Sequence, residues 1–160
     1  MNLKLAGSIR YKIAAGGFLN NNKVFIQDYV LFNGNESHLY KDYMNTFQLL
    51  PYFSAITDAP LYGTLNFEHH LNGLLTNRIP LFKRLNWNML YGTNDFYVNN
   101  TNHYEEIFLG LENIFKVLRF DVVAGSRNGQ KAMIDYRVGF GGTIGSSLNS
   151  SRFRGRAVGF

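Results

Sequence analysis

Two stretches near opposite ends of the chain alternate in side-chain character almost without a fault. In the first, Leu3, Leu5, Gly7, Ile9, Tyr11 and Ile13 are separated by Lys4, Ala6, Ser8, Arg10 and Lys12. In the second, Ile134, Tyr136, Val138, Phe140 and Ile144 stand against Asp135, Arg137, Gly139, Gly141 and Thr143. Successive side chains of a strand leave opposite faces, so a period of two predicts strands with one apolar and one polar face. The same pattern recurs between them. Leu61, Gly63, Leu65, Phe67 and Leu71 oppose Tyr62, Thr64, Asn66, Glu68, His70 and Asn72. Residues 87–98, 104–111 and 120–124 continue it.

The punctuation between these runs suits an up-and-down β-structure. Gly16-Gly17 with Asn20-Asn21-Asn22, Thr57-Asp58-Ala59-Pro60 and Asn99-Asn100-Thr101-Asn102-His103 read as turns. Arg127-Asn128-Gly129-Gln130 is an Asn-Gly hairpin. Residues 24–29 suggest a short strand, and residues 44–56 an extended run broken by Pro51. Phe32-Asn33-Gly34-Asn35-Glu36-Ser37 reads as a polar loop in which Asn-Gly takes positive φ. Residues 79–85 predict a helical turn or two, with Pro80 at its start. A phrase is also repeated: Leu81-Phe82-Lys83-Arg84-Leu85-Asn86-Trp87 resembles Ile114-Phe115-Lys116-Val117-Leu118-Arg119-Phe120. Two strands and a loop lie between the copies, which places both at one rim.

Composition agrees with strands. Aromatic residues make up 16% of the chain, with 16 Gly and 3 Pro; pleated surfaces favour aromatic and branched side chains. The chain has no Cys, which excludes disulfides, thiolate metal sites and a Cys nucleophile. The net charge of +5 is dispersed apart from Arg152, Arg154 and Arg156, so no nucleic-acid partner is expected. No run approaches the ~18 consecutive apolar residues of a transmembrane helix. Residues 1–10 lack the apolar core of a secretory signal. With the strand pattern, this suggests the back end of a longer precursor.

Two architectures use about seven or eight amphipathic strands of ~9–11 residues. One is a transmembrane β-barrel, with the apolar face to lipid and the polar face to the lumen. The other is a soluble lipocalin-type barrel holding an apolar ligand, with the faces reversed. In the first, Tyr11, Tyr43, Tyr52, Tyr62, Trp87, Tyr97, Tyr104 and Tyr136 form interfacial girdles near strand ends. The expected lipid-facing set is Leu3, Leu5, Ile9, Leu65, Phe67, Ile134, Tyr136, Val138 and Phe140.

Longer phrases bear on this choice. They are Gly16-Gly17-Phe18-Leu19-Asn20-Asn21, Leu31-Phe32-Asn33-Gly34-Asn35, Phe47-Gln48-Leu49-Leu50-Pro51-Tyr52, Phe67-Glu68-His69-His70-Leu71-Asn72-Gly73, Asn77-Arg78-Ile79-Pro80-Leu81, Gly110-Leu111-Glu112-Asn113-Ile114-Phe115-Lys116 and Leu118-Arg119-Phe120-Asp121. In these the chain resembles the C-terminal barrel of a family of Gram-negative outer-membrane proteins. Members carry a carboxypeptidase-regulatory-like domain near the N-terminus and a C-terminal region of unknown function. The resemblance implies an all-β, antiparallel up-and-down transmembrane barrel over residues 1–145. Residues 146–160 would be a tail or poor edge strand. It implies an outer-membrane location, a structural or transport scaffold, lipid as partner and contacts with other outer-membrane proteins. A looser similarity links the glycine loop and Arg119-Phe120-Asp121 to the outer-membrane insertase and surface-antigen superfamily. Those proteins insert or secrete other proteins, and an Arg-Gly loop folds into their lumen. The corresponding loop here, Phe32, Asn33, Gly34 and Asn35, has no Arg.

Chemistry-bearing residues read as lumen polar groups rather than catalysts. His69 and His70 leave opposite faces and cannot share a metal. Glu68 and His70 share a face, but a catalytic zinc wants three protein ligands. His38 and His103 fall in predicted loops. Arg119 with Asp121, and Asp135 with Arg137, form charge ladders at i, i+2 spacing. Glu105 and Glu106 point apart, which gives no paired-carboxylate site. No Gly-x-Ser-x-Gly elbow occurs, and Gly139-x-Gly141-Gly142 lies within a strand, where it cradles no phosphate. Neither an enzyme activity, a metal nor a cofactor is expected.

Strand counting also predicts the rims. If residues 131–145 are the last strand and end in the periplasm, the 127–130, 99–103 and 57–60 connections are external, and 114–118 and 79–85 are periplasmic. A single Cys at Asn100 should react with a membrane-impermeant maleimide on intact cells, and one at Lys83 should not. The opposite labelling would mean that residues 152–160 add a strand.

Overall fold

The computed structural model describes residues 7–19, 24–71, 80–99 and 102–140. Leu3, Leu5, the Asn20–Asn22 turn, Asn72, Asn100 and everything after Phe140, including Arg152, Arg154 and Arg156, lie outside the described residues.

The fold is all-β apart from short helical turns. Its main sheet has six antiparallel strands: β1 (Ser8–Gly16), β4 (Tyr62–His70), β5 (Asn88–Asn99), β6 (Asn102–Ile114), β7 (Leu118–Arg127) and β8 (Met133–Phe140). They neighbour one another in that order, so the sheet is a meander once the long β1-to-β4 connection is set aside. That connection carries the two-residue strands β2 (Val30–Leu31) and β3 (Ile56–Thr57), which pair with each other. Among the described residues β1 and β8 do not pair, and the sheet is not closed.

The turns follow from local chemistry. Between β7 and β8, Asn128 and Gly129 both adopt left-handed backbone, φ 55° and 68°. This is the twist-matched hairpin turn that Asn-Gly specifies. Helix α1 (Pro80–Leu85) follows β4 and starts on the proline, as expected. The β6-to-β7 turn is tighter, with Asn113, Phe115 and Lys116 all at positive φ. The two copies of the repeated phrase therefore lie at the same end of the meander but take different conformations, one a helix and one a turn. The predicted 99–103 loop is shorter than expected: β5 runs to Asn99, β6 resumes at Asn102, and His103 sits in that strand opposite Tyr97.

Three local expectations are corrected. Residues 24–29 are not a strand; Ile26–Asp28 is a 3₁₀ turn, closed by Asp28 N–H to the Phe25 carbonyl at 2.9 Å. Residues 44–55 are not extended. They form turns laid across the polar face of the main sheet, with their main chain bonded to its side chains. The Phe32–Ser37 loop is not a solvated turn. Phe32 and Asn35 are buried, and Gly34 does not use left-handed backbone. Its need for glycine is spatial, because a Cβ there would lie 2.1 Å from the Leu50 carbonyl oxygen.

The core therefore sits between the sheet and this inserted segment. Phe32, Phe47, Leu50 and Ala55 of the segment pack on Phe96, Val98 and Tyr104. Phe32 stacks on Phe96 with ring centroids 4.3 Å apart. A second cluster joins Tyr43, Met44 and Leu49 to Leu90, Phe108 and Val123, with Tyr43 stacked on Phe108 at 3.7 Å. Aromatic pairs add about 0.5–1.5 kcal/mol each beyond their buried area.

The two glycines separate two kinds of cost. Gly129→Ala meets no atom within 4 Å and should lose only about 1 kcal/mol, from left-handed backbone. Gly34→Ala must move backbone and should lose about 1–3 kcal/mol. Urea unfolding of both variants checks the order; a Gly129→Ala loss equal to or above the Gly34→Ala loss would contradict it.

Candidate functional site: a polar sheet face covered by its own chain

The period-two pattern sends most charged residues of the strands to the covered face, with Asp95 of β5 and Glu105 of β6 on the other. Glu106 on β6 is the most heavily engaged. Its carboxylate accepts the main-chain N–H of Gln48 at 2.9 and 3.0 Å and that of Leu49 at 3.2 Å. Asn94 Nδ2 and the Tyr104 hydroxyl donate to it as well, each at 2.9 Å. Its side chain is thus saturated while being 1% exposed. Arg137 on β8 holds the other side of the same peptide: its guanidinium donates to the Gln48 carbonyl through Nε at 3.1 Å and through Nη2. Asn35 Nδ2 donates to Gln48 Oε1 at 3.1 Å.

Toward the opposite end of the strands lies an ion cluster. Arg119 Nε donates to both oxygens of Asp121, at 3.0 and 2.8 Å, and Nη1 donates to Glu68 at 2.7 Å. All three side chains are buried. The segment covers them with aromatic rings: the Arg119 guanidinium carbon lies 4.3 Å from the Tyr40 ring centroid and 5.1 Å from that of Tyr43. Tyr43 donates its hydroxyl to Asp121 at 3.2 Å. Burial lifts the Tyr43 phenol well above its ordinary range, so it stays a donor. Arg10 of β1 bridges Glu68 at 3.2 Å and Asp42 of the segment at 3.0 Å.

His70 stands between two carboxylates. Nδ1 is 3.1 Å from Glu112, and Nε2 is 3.2 Å from Glu68, close enough for ion pairing though off hydrogen-bond alignment. A ring placed between acids bridges them through protons; it does not converge with them on a cation. Among the described residues no group of three or more His, Cys, Asp or Glu could hold a metal ion. His69 points to the opposite face and contacts Tyr91, as strand geometry requires.

The sequence-derived residues thus fall into two sets. Glu68, His70, Arg119 and Asp121 meet in one cluster, with Arg119 linking Glu68 to Asp121. Asp135 and Arg137 pair separately at 2.8 Å, and Asp135 also lies 3.4 Å from His38, whose ring stacks on Tyr136. The expected wet ladders are corrected for Arg119, Asp121 and Arg137, which the segment buries. Among the family-motif residues, Asn35 reaches Gln48, and Asn33 accepts the Phe47 N–H at 2.8 Å. The girdle expectation is corrected for Tyr43 and Tyr104, which are fully buried on the covered face, and for Tyr52, which belongs to the segment. Gln48, Asn66 and Asn94 were not singled out in the sequence, and Glu106 was weighed there only as half of a carboxylate pair with Glu105. For Glu106, Asn66 and Asn94 the only signal was a polar residue on the covered face of an alternating strand; Gln48, in the irregular segment, had no periodic signal.

Glu106→Ala should cost about 3 kcal/mol or more, since it strands two buried N–H donors worth about 1–3 kcal/mol each. Glu105→Ala, one residue away on the exposed side, should stay within about 0.5 kcal/mol. Chemical denaturation compares them, and equal losses would remove Glu106 from this role.

Comparison with curated proteins and with solved structures gives no match. A family model does match: that of the C-terminal domain of a family of unknown function (DUF5686), over residues 1–111. The matched residues include β1, the inserted segment, β4, β5 and most of β6; Arg119, Asp121, Asp135 and Arg137 lie beyond them. With that share of its 160 residues matched, the chain belongs to this family.

Proposed function

We propose that the chain forms part of the wall of an outer-membrane β-barrel and serves as a structural or transport scaffold, without enzymatic activity of its own. The observation that carries this reading is the inversion of the sheet. The face left bare is the apolar one: Ile13, Leu65, Ile107, Leu109, Val122 and Ile134 are all exposed on it. The remaining described members of the expected lipid set, Ile9, Phe67, Tyr136, Val138 and Phe140, are in phase with them by strand alternation. The covered face carries most of the charges, set among the two aromatic clusters, while Asp95 and Glu105 stand opposite each other on the bare face. Soluble monomers rarely expose contiguous apolar patches beyond a few hundred Å², whereas barrel walls in lipid are apolar outward and polar inward. A soluble lipocalin-type barrel would place these faces the other way round. No described helix is long and apolar enough to cross a membrane, which leaves strands as the spanning elements in this reading.

Closure of the barrel then requires strands beyond the six of this sheet, and lipid is the principal partner. A second reading, an insertase or secretion pore of the surface-antigen type, draws on one observation: the Phe32–Asn35 stretch lies against the polar face, as the lumen loop of that superfamily does. The missing Arg weighs against it.

Ile107 tests the lipid face. It is 63% exposed near the middle of β6. On the surface of a soluble protein Ile107→Arg would change stability by about 0.5 kcal/mol or less. At the midplane of a barrel wall it should cost about 2–4 kcal/mol, read as lost assembly in detergent or liposomes. Wild-type assembly of the Arg variant, or a wild-type chain that is monodisperse without detergent, would overturn the reading.

A further inference from the structure

We infer that the outer edge of β8, beside residues 133–135, is a docking slot for a short extended peptide of a partner protein, one in which basic and apolar residues alternate. This goes beyond the barrel reading and needs only an open edge at that place.

Strand alternation lays the edge out. β8 pairs with β7 on one side, so every second residue turns its N–H and carbonyl to the other. Val138 is such a residue: its N–H donates to the His38 carbonyl at 2.8 Å, and its carbonyl accepts the Tyr40 N–H at 2.7 Å. Two residues back, Tyr136 is capped by its neighbours' side chains. Its N–H donates to Asp135 Oδ1 at 2.8 Å, and its carbonyl accepts Arg137 Nη1 at 2.6 Å. Two further back, the same phase turns out the N–H and carbonyl of Ile134, and neither has a partner among the described residues.

The chain that pairs at Val138 does not continue along the edge. Leu39 bridges Val138 in parallel, but Asn35 is turned inward, its side chain bonded to Gln48 and to the Leu39 carbonyl. A gap is left there between the segment and β8. It encloses about 360 Å³ and is lined by Glu36, Leu49, Pro51, Met133, Ile134 and Asp135. The room is for a peptide that stops short of Val138, not for a strand that runs the whole edge.

The chemistry of the slot selects the peptide. Extended main chain supplies the acceptor and donor that Ile134 lacks, as when a strand is added to a free sheet edge. The residue opposite Ile134 shares its face, where Ile134 is 72% exposed, so an apolar side chain suits it. The residues on either side of that one point the other way, toward Met133, Glu36 and Asp135. Glu36 accepts the Tyr52 N–H at 3.0 Å and pairs with no cation among the described residues. The Arg137 guanidinium is already engaged by Gln48, Asp135 and Tyr136. The slot therefore offers a free carboxylate and no free guanidinium, and Leu49, Pro51 and Met133 make an apolar bed for the stem of a Lys or Arg.

The test uses the full chain in detergent with two short, end-capped, fluorescently labelled peptides, one alternating Lys and Val and the other Glu and Val. The chain carries a net charge of +5, so non-specific attraction would favour the Glu peptide. Through the slot the Lys peptide should bind at least about tenfold tighter than the Glu peptide, and amide exchange at Ile134 should slow when it is added. Glu36→Gln should weaken it about three- to tenfold. Ile134→Pro removes an outward N–H that the fold does not use and should weaken it by a similar factor, about three- to tenfold. A Lys peptide methylated on its main-chain nitrogens removes the donors from the other side with the protein unchanged, and should lose binding even if the proline variant fails to fold. Equal affinity for the two peptides, full binding of the methylated one, or no effect of Glu36→Gln would overturn the slot. Slow exchange at Ile134 in the free chain would overturn it as well, since the edge would then be covered by the chain's own further residues.

Discussion

The structure depends on one carboxylate meeting two consecutive main-chain N–H groups. Glu106 projects from the middle of β6 into the layer between sheet and segment, where the N–H groups of Gln48 and Leu49 point at it. A buried carboxylate is costly unless its lone pairs are filled, and buried N–H groups without an acceptor are costly in turn. Each half of this contact is tolerable only because the other is present. Asn94 and Tyr104 fill the remaining acceptor positions from neighbouring places on the same face. The contact thereby fixes which peptide of an otherwise irregular segment lies over which strand.

The aromatic layers then set orientation. Phe32, Phe47 and Leu50 settle near the β5–β6 hairpin end, while Tyr43 and Met44 settle deeper, against Phe108 and Leu90. Dispersion and area burial supply most of the adhesion here; the polar ties supply registry. Arg119 belongs to both regimes. Its nitrogens bind Glu68 and Asp121, while the flat side of its guanidinium lies under the Tyr40 and Tyr43 rings. Arg suits that position better than Lys because it offers a planar fork and a stackable face at once.

The strands were legible in the sequence because period two is a local signal. Alternation around Leu65 and Glu68, or Ile134 and Arg137, names the faces without reference to any partner. The Asn128-Gly129 turn and the Pro80 helix start were legible for the same reason: each rests on the φ of one or two residues. The inserted segment was not legible. Gln48 bonds Glu106, a residue 58 positions away, and no local rule connects them. Its main chain finds partners in side chains of the sheet, so it needs neither helical nor strand periodicity and shows none. Phe32-Asn33-Gly34-Asn35 misled for a related reason. Asn-Gly is a strong turn signal when solvated, but here the glycine is required by the nearness of the Leu50 carbonyl, and the asparagine side chain of Asn35 serves Gln48 and the Leu39 carbonyl at 2.8 Å. The girdle reading failed at Tyr43 and Tyr104 because a tyrosine near a strand end looks the same whether its hydroxyl meets a headgroup or a buried carboxylate.

The segment also bears on how the sheet can grow. Val138 of β8 pairs with Phe120 on one side. On its other side its N–H donates to the His38 carbonyl at 2.8 Å and its carbonyl accepts the Tyr40 N–H at 2.7 Å. At Tyr136 the N–H goes to Asp135 Oδ1 and the carbonyl accepts Arg137 Nη1. Main-chain groups that a neighbouring strand would use are thus already engaged, a way in which exposed sheet edges are blunted. Any further strand laid along the outer edge of β8 must displace the His38–Tyr40 contact at Val138. Those residues lead directly into Tyr43 and Gln48, which hold the segment to the wall. Extending the sheet past β8 and keeping the segment seated are therefore competing uses of the same backbone groups, and a barrel closed through this edge gives up the Val138 anchorage of its own insert.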